Sequence, residues 1–269
     1  MTSSNRVLPI LMYHHVGSNP GLVTISPRTF RRQMEWLAKS GWKTLNTQEL
    51  EDFFSGKAQP RKSVVVTFDD GYLDTWAHVH PVMEELGLNG LFFITTSWIG
   101  DGPVRPGQQE CPNHKTCEQL VFSGEGDRVM LRWSEIEAMI SSGTFEFHNH
   151  THTHRRWDRE LPPGRAREEA LEQDISQAQE ILRRRLGLKS RHLCWPQGYY
   201  NPEYIAVGKN MGLDFFYTTE RRLNHQQNDT SRLGRISTKE REYVEWLKWR
   251  LRIYITPPFS HLYMRMWGD

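Results

Sequence analysis

Four histidines occupy every second position of one short segment of this chain: His148, His150, His152 and His154. Imidazole is the commonest metal ligand in proteins, so the segment indicates a metal site; the other interpretation is an exposed histidine-rich turn. In an extended strand, residues four apart lie about 13 Å from each other. Two nitrogens that share one ion each lie about 2.0–2.1 Å from it. The chain must therefore turn after the strand, and the residue types leave both His148/His152 and His150/His154 open as the ligand pair.

Two adjacent carboxylates, Asp69 and Asp70, end the most apolar segment of the chain and precede Gly71. Gly71 permits a turn, because glycine tolerates backbone conformations that other residues avoid. One carboxylate of such a pair can bind a metal while its neighbour acts as a general base. The alternative is a polar strand-to-helix turn in which an aspartate caps the helix. One carboxylate and two imidazoles would leave coordination positions open, as in a catalytic metal site.

Apolar segments alternate with helical patterns along the chain and provide the elements that must position these groups. Continuous apolar runs such as 64–66 and 91–94 are typical of strands buried on both faces of a parallel sheet. Seven strands are predicted: Val7–His14, Ser63–Asp70, Gly90–Thr95, Phe145–His150, Arg191–Pro196, Asp214–Thr219 and Arg235–Thr238. The pattern predicts an α/β fold, a distorted (β/α) barrel of about seven parallel strands, in a single domain over residues 1–269.

Two helices have clear boundary signals. Ser26 followed by Pro27 predicts the start of one helix, and Gly41 its end. A longer helical pattern near 164–186 stops at Gly187. It has one apolar stripe, with glutamates early and arginines late, an order that suits the helix dipole.

Two segments depart from the alternation of strands and helices. Residues 100–131 are rich in glycine, proline and glutamine and contain two cysteines. A loop this long is usually functional or disordered, and we interpret it as an insertion over the mouth of the site. Residues 239–269 mix tryptophan, tyrosine and leucine with lysine and arginine. This amphipathic segment either closes the barrel or lies in a membrane interface.

The composition excludes several classes of protein. The 269 residues are 37% hydrophobic and 25% charged, which excludes wholesale disorder. A net charge of +2 and a pI of about 8.4 are too balanced for nucleic acid to be the main partner. No signal peptide and no apolar run of about 18 residues is visible, and three cysteines do not make a disulfide scaffold. We expect a cytoplasmic protein, with peripheral association at the inner membrane face if the amphipathic segment binds lipid.

The chain resembles the NodB-like polysaccharide deacetylases, carbohydrate esterase family 4, over nearly its whole length. The family's first motif, Thr-Phe-Asp-Asp-Gly, matches residues 67–71, and its second, His-Ser/Thr-x-x-His, matches residues 150–154. The resemblance implies a general base and a divalent metal, with zinc as first choice and nickel, cobalt or manganese as alternatives. Of the two histidine pairs left open above, the resemblance selects His150/His154. The implied base is Asp69, and the implied metal ligands are Asp70, His150 and His154.

The third family motif, Arg-x-Pro-Tyr-Gly, is only partly kept, since Cys194 stands in the place of its arginine. That arginine usually orients the catalytic aspartate. Arg235 is the candidate to replace it, and an ordinary surface arginine is the alternative interpretation. The backbone N–H of Gln197 is expected to help stabilise the oxyanion, because a main-chain donor survives a change of side chain.

Residues 10–16 and 195–198 resemble the branch of the family that deacetylates poly-N-acetylglucosamine. In that branch a histidine of the first strand lies at the site. His14 is therefore the expected general acid, and His261 is a weaker alternative. Contacts with substrate are expected from Trp195, Tyr199, His148 and His152.

The resemblance implies a hydrolase that removes the N-acetyl group of an amino sugar in a polysaccharide, a lipopolysaccharide or a lipid-linked glycan and releases acetate. Two alternatives stay open. One is the same metal site acting on another amide or a formamide, and the other is a catalytically inactive glycan-binding module. The intact motifs argue against the inactive module, because a binding protein has no use for a base beside a metal-bound water. The expected partner is an N-acetylated glycan.

Overall fold

A computed structural model of the protein describes residues 6–19, 21–107, 110–226, 229–239 and 243–267. Its strands are β1 (Ile10–Tyr13), β2 (His15–Val16), β3 (Thr24–Ile25), β4 (Lys43–Thr44), β5 (Ser63–Asp70), β6 (Gly90–Ile94), β7 (Phe145–Asn149), β8 (His192–Cys194), β9 (Phe215–Tyr217) and β10 (Ile236–Ser237). All seven strands predicted from the sequence are present, although most are shorter than predicted. The strands β2, β3 and β4 were not predicted, because each has two residues and none lies in a longer apolar run.

The seven predicted strands form one curled sheet in the order β10-β1-β5-β6-β7-β8-β9, and neighbouring strands are parallel. β4 pairs with the start of β5, and β2 and β3 pair separately. The prediction of a distorted (β/α) barrel of about seven parallel strands is confirmed. In such a barrel the carboxyl ends of the strands share one face, so side chains from distant parts of the chain can meet there.

The barrel closes through one short stretch of chain, residues 233–237. Leu233 forms a parallel bridge to Tyr217 of β9, and β10, which begins three residues later, pairs with β1. The same stretch therefore contacts both ends of the open sheet. Arg235 lies between the two contacts.

The helices are α1 (Pro27–Lys39), α2 (Thr47–Phe54), α3 (His80–Leu86), α4 (His114–Phe122), α5 (Trp133–Ser141), α6 (Trp157–Glu160), α7 (Arg165–Leu186), α8 (Pro202–Asn210), α9 (Val244–Tyr254) and α10 (Phe259–Trp267). Of these, α1, α3, α5, α7 and α9 pack on the outside of the sheet. α1 begins as predicted: the Ser26 hydroxyl accepts a hydrogen bond from the Thr29 N–H at 3.2 Å, and Pro27 takes the first helical position. α7 ends at Gly187, whose φ of 67° is the left-handed conformation that glycine favours.

Two apolar layers hold the barrel and its helices together. Inside the barrel, Val65, Leu91 and Phe93 pack against Leu50 and other residues of α2. The larger layer lies between the sheet and the surrounding helices and includes the aromatic rings of Phe30, Phe68, Phe92 and Phe147. Full burial of one such side chain contributes about 1.5–3 kcal/mol. These layers make a rigid support for the loops at the carboxyl face.

The predicted insertion at 100–131 contains the helix α4 and packs against the turn after β5. The Leu73 N–H donates to the Val129 carbonyl at 2.9 Å, and the Leu131 N–H donates to the Gly71 carbonyl at 2.9 Å. Cys111 and other apolar residues of the insertion are buried in this contact. The insertion therefore supports the segment that carries the two aspartates.

Candidate active site

Asp69 and Asp70 end β5 at the carboxyl face, where the chain leaves the strand in an unusual backbone conformation. Asp70 has a φ of 73°, and Gly71 has a φ of 93°. A Cβ at Gly71 would lie 3.0 Å from Ile99 and 3.1 Å from Ile94, so packing and backbone both require glycine there. Positive φ in a non-glycine residue is uncommon and clusters at functional sites. The turn directs the two carboxylates to different partners.

His150 and His154 reach the Asp70 carboxylate because the chain turns directly after β7. Thr151 and His154 have positive φ angles of 63° and 59°. The turn predicted from the histidine spacing is confirmed. The Nε2 atoms of His150 and His154 lie 3.2 Å and 3.4 Å from Asp70 Oδ1. The structure thus brings the pair His150/His154 together with Asp70.

A buried aspartate of α7, which sequence analysis missed, holds this turn in place. Asp174 Oδ1 accepts hydrogen bonds from the N–H groups of His152 and Thr153 at 2.9 Å and 2.8 Å. Its Oδ2 accepts from the Trp157 indole at 3.0 Å. The sequence did hold a signal for it: Asp174 lies three residues after Leu171 and so on the same, buried face of the helix. A charged residue on a buried face is rare unless it has a partner.

The donors of Asp70, His150 and His154 fit a metal ion. One ligand atom of each lies within 4.8 Å of the others. Asp70 Oδ1 is buried and forms no well-oriented hydrogen bond with any residue that the structure describes. His150 Nδ1 donates to the Cys194 carbonyl at 2.7 Å, which directs its Nε2 toward the same point. One carboxylate with two imidazoles suits zinc and the other divalent first-row metals.

The two imidazoles differ in protonation. Burial lowers the pKa of His154 to about 4, so this ring is neutral at neutral pH and free to bind a metal. Burial also opposes the charged form of His150, but the neighbouring carboxylates, Asp70 above all, outweigh it and raise the pKa of His150 well above 6.5. Despite its own burial, Asp70 has a lowered pKa because of the two rings. Metal binding at this donor set requires the neutral form of both imidazoles.

The second carboxylate, Asp69, is bound by a buried arginine from the far end of the chain. Arg235 Nη1 and Nη2 donate to Asp69 Oδ1 and Oδ2, both at 2.7 Å. Arg235 is 2% exposed, and its Nε donates to the Thr218 carbonyl at 2.9 Å. Burial raises the pKa of Asp69, but Arg235 more than offsets it and the net pKa is lowered. The alternative interpretation of Arg235 as a surface residue is wrong.

Cys194 fills the space beside this ion pair. Its Sγ lies 3.1 Å from Arg235 Nη2 and 3.7 Å from Asp69 Oδ2. Burial raises the pKa of the Cys194 thiol, so the sulfur is uncharged at neutral pH. A guanidinium at position 194 would compete with Arg235 for the same carboxylate. Arg235 can therefore bind Asp69 because residue 194 has a small neutral side chain.

His14 follows β1 and lies at the opening of the site. Its Nε2 is 3.7 Å from Asp69 Oδ2, and its side chain is 18% exposed. Burial lowers the pKa of His14 more than Asp69 and Asp70 raise it, so the ring is neutral at neutral pH. His261, the weaker candidate, lies on α10, where its ring packs against that of His225 at 5.7 Å. Of these two histidines, the structure places His14 beside Asp69.

Gln197 lies in the turn that follows β8, with a φ of 55°. The turn depends on Gly198, which has a φ of 69° and whose Cβ would lie 2.3 Å from Thr219 Oγ1. The Gln197 side-chain oxygen accepts a hydrogen bond from Arg156 Nη1 at 3.3 Å. The role of the Gln197 N–H as an oxyanion donor stays a prediction.

The predicted substrate contact of Trp195 is wrong. Trp195 is completely buried, and its ring stacks on that of Phe216 at 5.4 Å. A sugar cannot reach a ring enclosed on all sides. Tyr199, four residues later, is partly exposed, and its contact with substrate stays a prediction.

The predicted substrate contact of His148 is also wrong. His148 Nε2 lies 2.9 Å from Thr47 Oγ1, and Nδ1 lies 2.8 Å from Ser190 Oγ. Both ring nitrogens are thus occupied inside the barrel, beneath the loops of the site. His152 is partly exposed, with Nδ1 2.9 Å from Thr96 Oγ1, and its role stays a prediction.

Known proteins resemble this chain in sequence. A family model described as polysaccharide deacetylase matches residues 56–216. The poly-beta-1,6-N-acetyl-D-glucosamine N-deacetylase of Staphylococcus aureus (strain MRSA252) is 21% identical over 209 residues, which cover 77% of this chain and 65% of that protein. The enzyme of the same name from Escherichia coli (strain K12) is 22% identical over 255 residues, which cover 82% of this chain and 35% of that protein. The chain therefore spans about a third to two thirds of the length of these curated relatives.

The fold comparison agrees with the sequence comparison. The structure of IcaB from Ammonifex degensii is similar with a TM-score of 0.72 and 26% identity, covering 90% of this chain and 97% of that chain. The family match includes both aspartates of β5 and the two histidines after β7, while His14 and Arg235 lie outside it. The resemblance drawn from the motifs is confirmed: this chain belongs to the polysaccharide deacetylase family.

Proposed function

We propose that this chain hydrolyses the N-acetyl group of N-acetylglucosamine residues in a glycan and releases acetate, with a divalent metal at Asp70, His150 and His154. One observation carries the proposal: the ionised Asp69, held by Arg235, lies next to that donor set. The polymers named for the relatives support a poly-N-acetylglucosamine substrate, with lipopolysaccharide and lipid-linked glycans as further candidates.

The residues around the site have distinct proposed roles. A divalent metal, when bound, would polarise the acetamide carbonyl and lower the pKa of a water molecule. Asp69 takes the proton from the attacking water, and the Gln197 N–H donates to the developing oxyanion. His14, neutral at rest and 3.7 Å from Asp69, receives that proton and delivers it to the leaving amine. The C–N bond then breaks, and acetate and the free amine depart.

Acetate release from a panel of N-acetylated sugars tests the proposal. The panel contains β-1,6-linked N-acetylglucosamine oligomers, the free polymer, and lipid-linked and lipopolysaccharide-core acceptors. We expect release that a chelator abolishes and added zinc restores, because the proposed chemistry needs the metal at Asp70. No release from any member, in protein shown to contain metal, would favour another amide or formamide substrate. Metal-independent sugar binding without release would favour the inactive binding module.

We further propose that α9 and α10 attach the chain to an anionic membrane surface on its cytoplasmic side. α10 exposes Phe259, Leu262 and Met266, at 61%, 57% and 64% of their surface. Their spacing of three and four residues puts them on one face of the helix. Trp249 of α9 is 54% exposed. An exposed apolar face of this kind is typical of helices that lie in a membrane interface.

The charge of this region complements anionic lipid. Residues 243–267 contain four cations, Lys248, Arg250, Arg252 and Arg265, and one acidic residue, Glu245. The three cysteines are free and buried, which supports the proposed cytoplasmic location. Within the described ranges, no helix has the length and apolar character needed to cross a bilayer. The attachment that we propose is peripheral, through the exposed faces of α9 and α10.

Sedimentation with vesicles tests the proposed membrane face. We expect the protein to sediment with vesicles that contain phosphatidylglycerol, and the variant Leu262→Ser/Met266→Ser to bind about tenfold or more weakly, because each buried apolar side chain contributes about 1.5–3 kcal/mol. The matched control is Leu22→Ser, because Leu22 is 80% exposed but lies outside α9 and α10. This variant should bind vesicles as well as the unsubstituted protein. A complete failure of the unsubstituted protein to sediment at low salt would refute the proposal.

A further inference from the structure

Two histidines follow β1 directly, and only the first of them lies at the site. The second, His15, is buried, with 2% of its surface exposed. Consecutive side chains of an extended segment point to opposite sides of the backbone, so a contact that fixes the ring of His15 also fixes the direction of His14. We propose that His15 and Asp74 form a positioning pair that holds His14 beside Asp69. The inference rests on the proposed function, since it concerns the orientation of the general acid.

The pair joins two segments that each carry a residue of the site. His15 directly follows His14, and Asp74 lies five residues after Asp69 in the segment that leaves β5. These segments meet at two points. His14 Nε2 lies 3.7 Å from Asp69 Oδ2, which is too far for a hydrogen bond, while His15 Nδ1 lies 2.6 Å from Asp74 Oδ2. The short contact therefore limits how far the longer one can open.

Two further rings hold His15 in this orientation. The Tyr72 ring stacks on it, with 3.8 Å between the ring centres. His15 Nε2 also lies 3.2 Å from Nδ1 of His114, the first residue of α4. Three parts of the chain thus meet at the His15 ring: the start of β2, the segment after β5, and the insertion at 100–131.

The contact between His15 and Asp74 favours the charged form of the ring. Burial lowers the pKa of His15, but Asp74 outweighs burial, and the net pKa is raised. A protonated ring donates from both nitrogens, to Asp74 and to His114. Asp74 is 1% exposed, and its Oδ1 forms no hydrogen bond with any residue that the structure describes. His15 is therefore the contact that compensates the buried carboxylate, and the direction of that contact is specific.

A double variant separates positioning from stability. Replacing a buried ion pair by apolar side chains often leaves the stability unchanged or raises it, so His15→Leu/Asp74→Leu should unfold in urea no more easily than the unsubstituted protein. Apolar packing is not directional, however, and His14 is then no longer held. We expect kcat to fall about 10- to 100-fold, as for a reacting group displaced by about 1 Å. KM should change by less than about threefold, because substrate binding is not involved.

The measurement is kcat and KM for acetate release from the N-acetylglucosamine pentamer with the zinc-loaded full chain. Asp74→Asn keeps the shape of the side chain and an acceptor for His15 but removes the charge, and it should lower kcat by only about three- to tenfold. The matched control is Glu84→Gln, at a half-exposed carboxylate of α3 that lies 3.5 Å from His80 and should keep full activity. An unchanged kcat in both variants of the pair, or a loss confined to KM, would overturn the inference while the proposed function stands. If the double variant does not fold, Asp74→Asn decides alone.

A crystal structure of the double variant tests the geometry without acetate release. We expect the distance between His14 Nε2 and Asp69 Oδ2 to exceed the present 3.7 Å by about 1 Å or more. The same displacement, smaller in size, is expected in Asp74→Asn. An unchanged distance in both variants refutes the positioning pair whether or not the protein releases acetate, so a failure of this inference is distinguished from a failure of the proposed function.

Discussion

Replacement of Asp69 by asparagine is expected to lower kcat for acetate release by a factor on the order of 10²–10⁴, the usual contribution of a general base. Asparagine has the same shape as aspartate but cannot accept a proton from water at neutral pH. The Asp70, His150 and His154 donors are unchanged, so metal content should stay near the level of the unsubstituted protein. The measurement is kcat on the N-acetylglucosamine pentamer, with metal content determined on the same samples.

A matched control is Asp214→Asn, at a half-exposed aspartate that directly precedes β9 and pairs with Arg191. This variant should keep full activity. Activity of Asp69→Asn within tenfold of the unsubstituted protein would show that another group takes the proton. In that case Asp69 would serve the structure of the site, as the partner of Arg235, and not its chemistry.

Replacement of Arg235 by glutamine is expected to destabilise the protein by about 3–5 kcal/mol at pH 7, because it leaves the Asp69 carboxylate buried without its partner. Arg235 lowers the pKa of Asp69, so the stability from this pair is present above the ordinary pKa of 3.8 and lost as the pH falls below it. In the variant, the largest influence that opposes burial is gone, so the pKa of Asp69 rises. The acidic limb of kcat/KM against pH should therefore move to higher pH.

Urea unfolding and the pH profile of kcat/KM measure the two effects of Arg235→Gln. The double variant Asp69→Asn/Arg235→Gln replaces the ion pair with two neutral amides and should recover much of the stability while staying inactive. Arg191→Gln, which removes two ion pairs of a half-exposed arginine, to Glu51 and Asp214, should change stability by less than about 1 kcal/mol. A pH profile that does not move in Arg235→Gln would contradict the proposed control of the Asp69 pKa.

The number and direction of the strands could be predicted from the sequence because buried parallel strands are continuous apolar runs. The long helix α7 and its end at Gly187 were predictable for similar reasons. The strands β2, β3 and β4 were not predictable, and neither was the helix within the insertion at 100–131. Their positions depend on tertiary contacts, such as the packing of the insertion against the turn after β5, which leave no periodic pattern in the sequence.

The site itself was only partly predictable. The spacing of the histidines required a turn, but the choice of His150 and His154 came from the family motif and not from geometry. Arg235 was predicted because an arginine was missing at position 194. Trp195 was mistaken for a substrate contact because residue type says nothing about which side of a strand or loop faces the core. Asp174 was missed because its function lies in hydrogen bonds to the backbone of a distant loop.

The stretch that closes the barrel also has a consequence for how the protein loses activity. β10 is two residues long and contacts β1, while Leu233 makes a single bridge to β9. Short elements with few backbone contacts open more readily than the centre of a sheet. Each such opening withdraws Arg235 from Asp69 and leaves a gap between β1 and β9, while the other strands and helices stay folded. We therefore expect activity to be lost on mild heating before the whole chain unfolds, and to return on cooling when β10 pairs with β1 again.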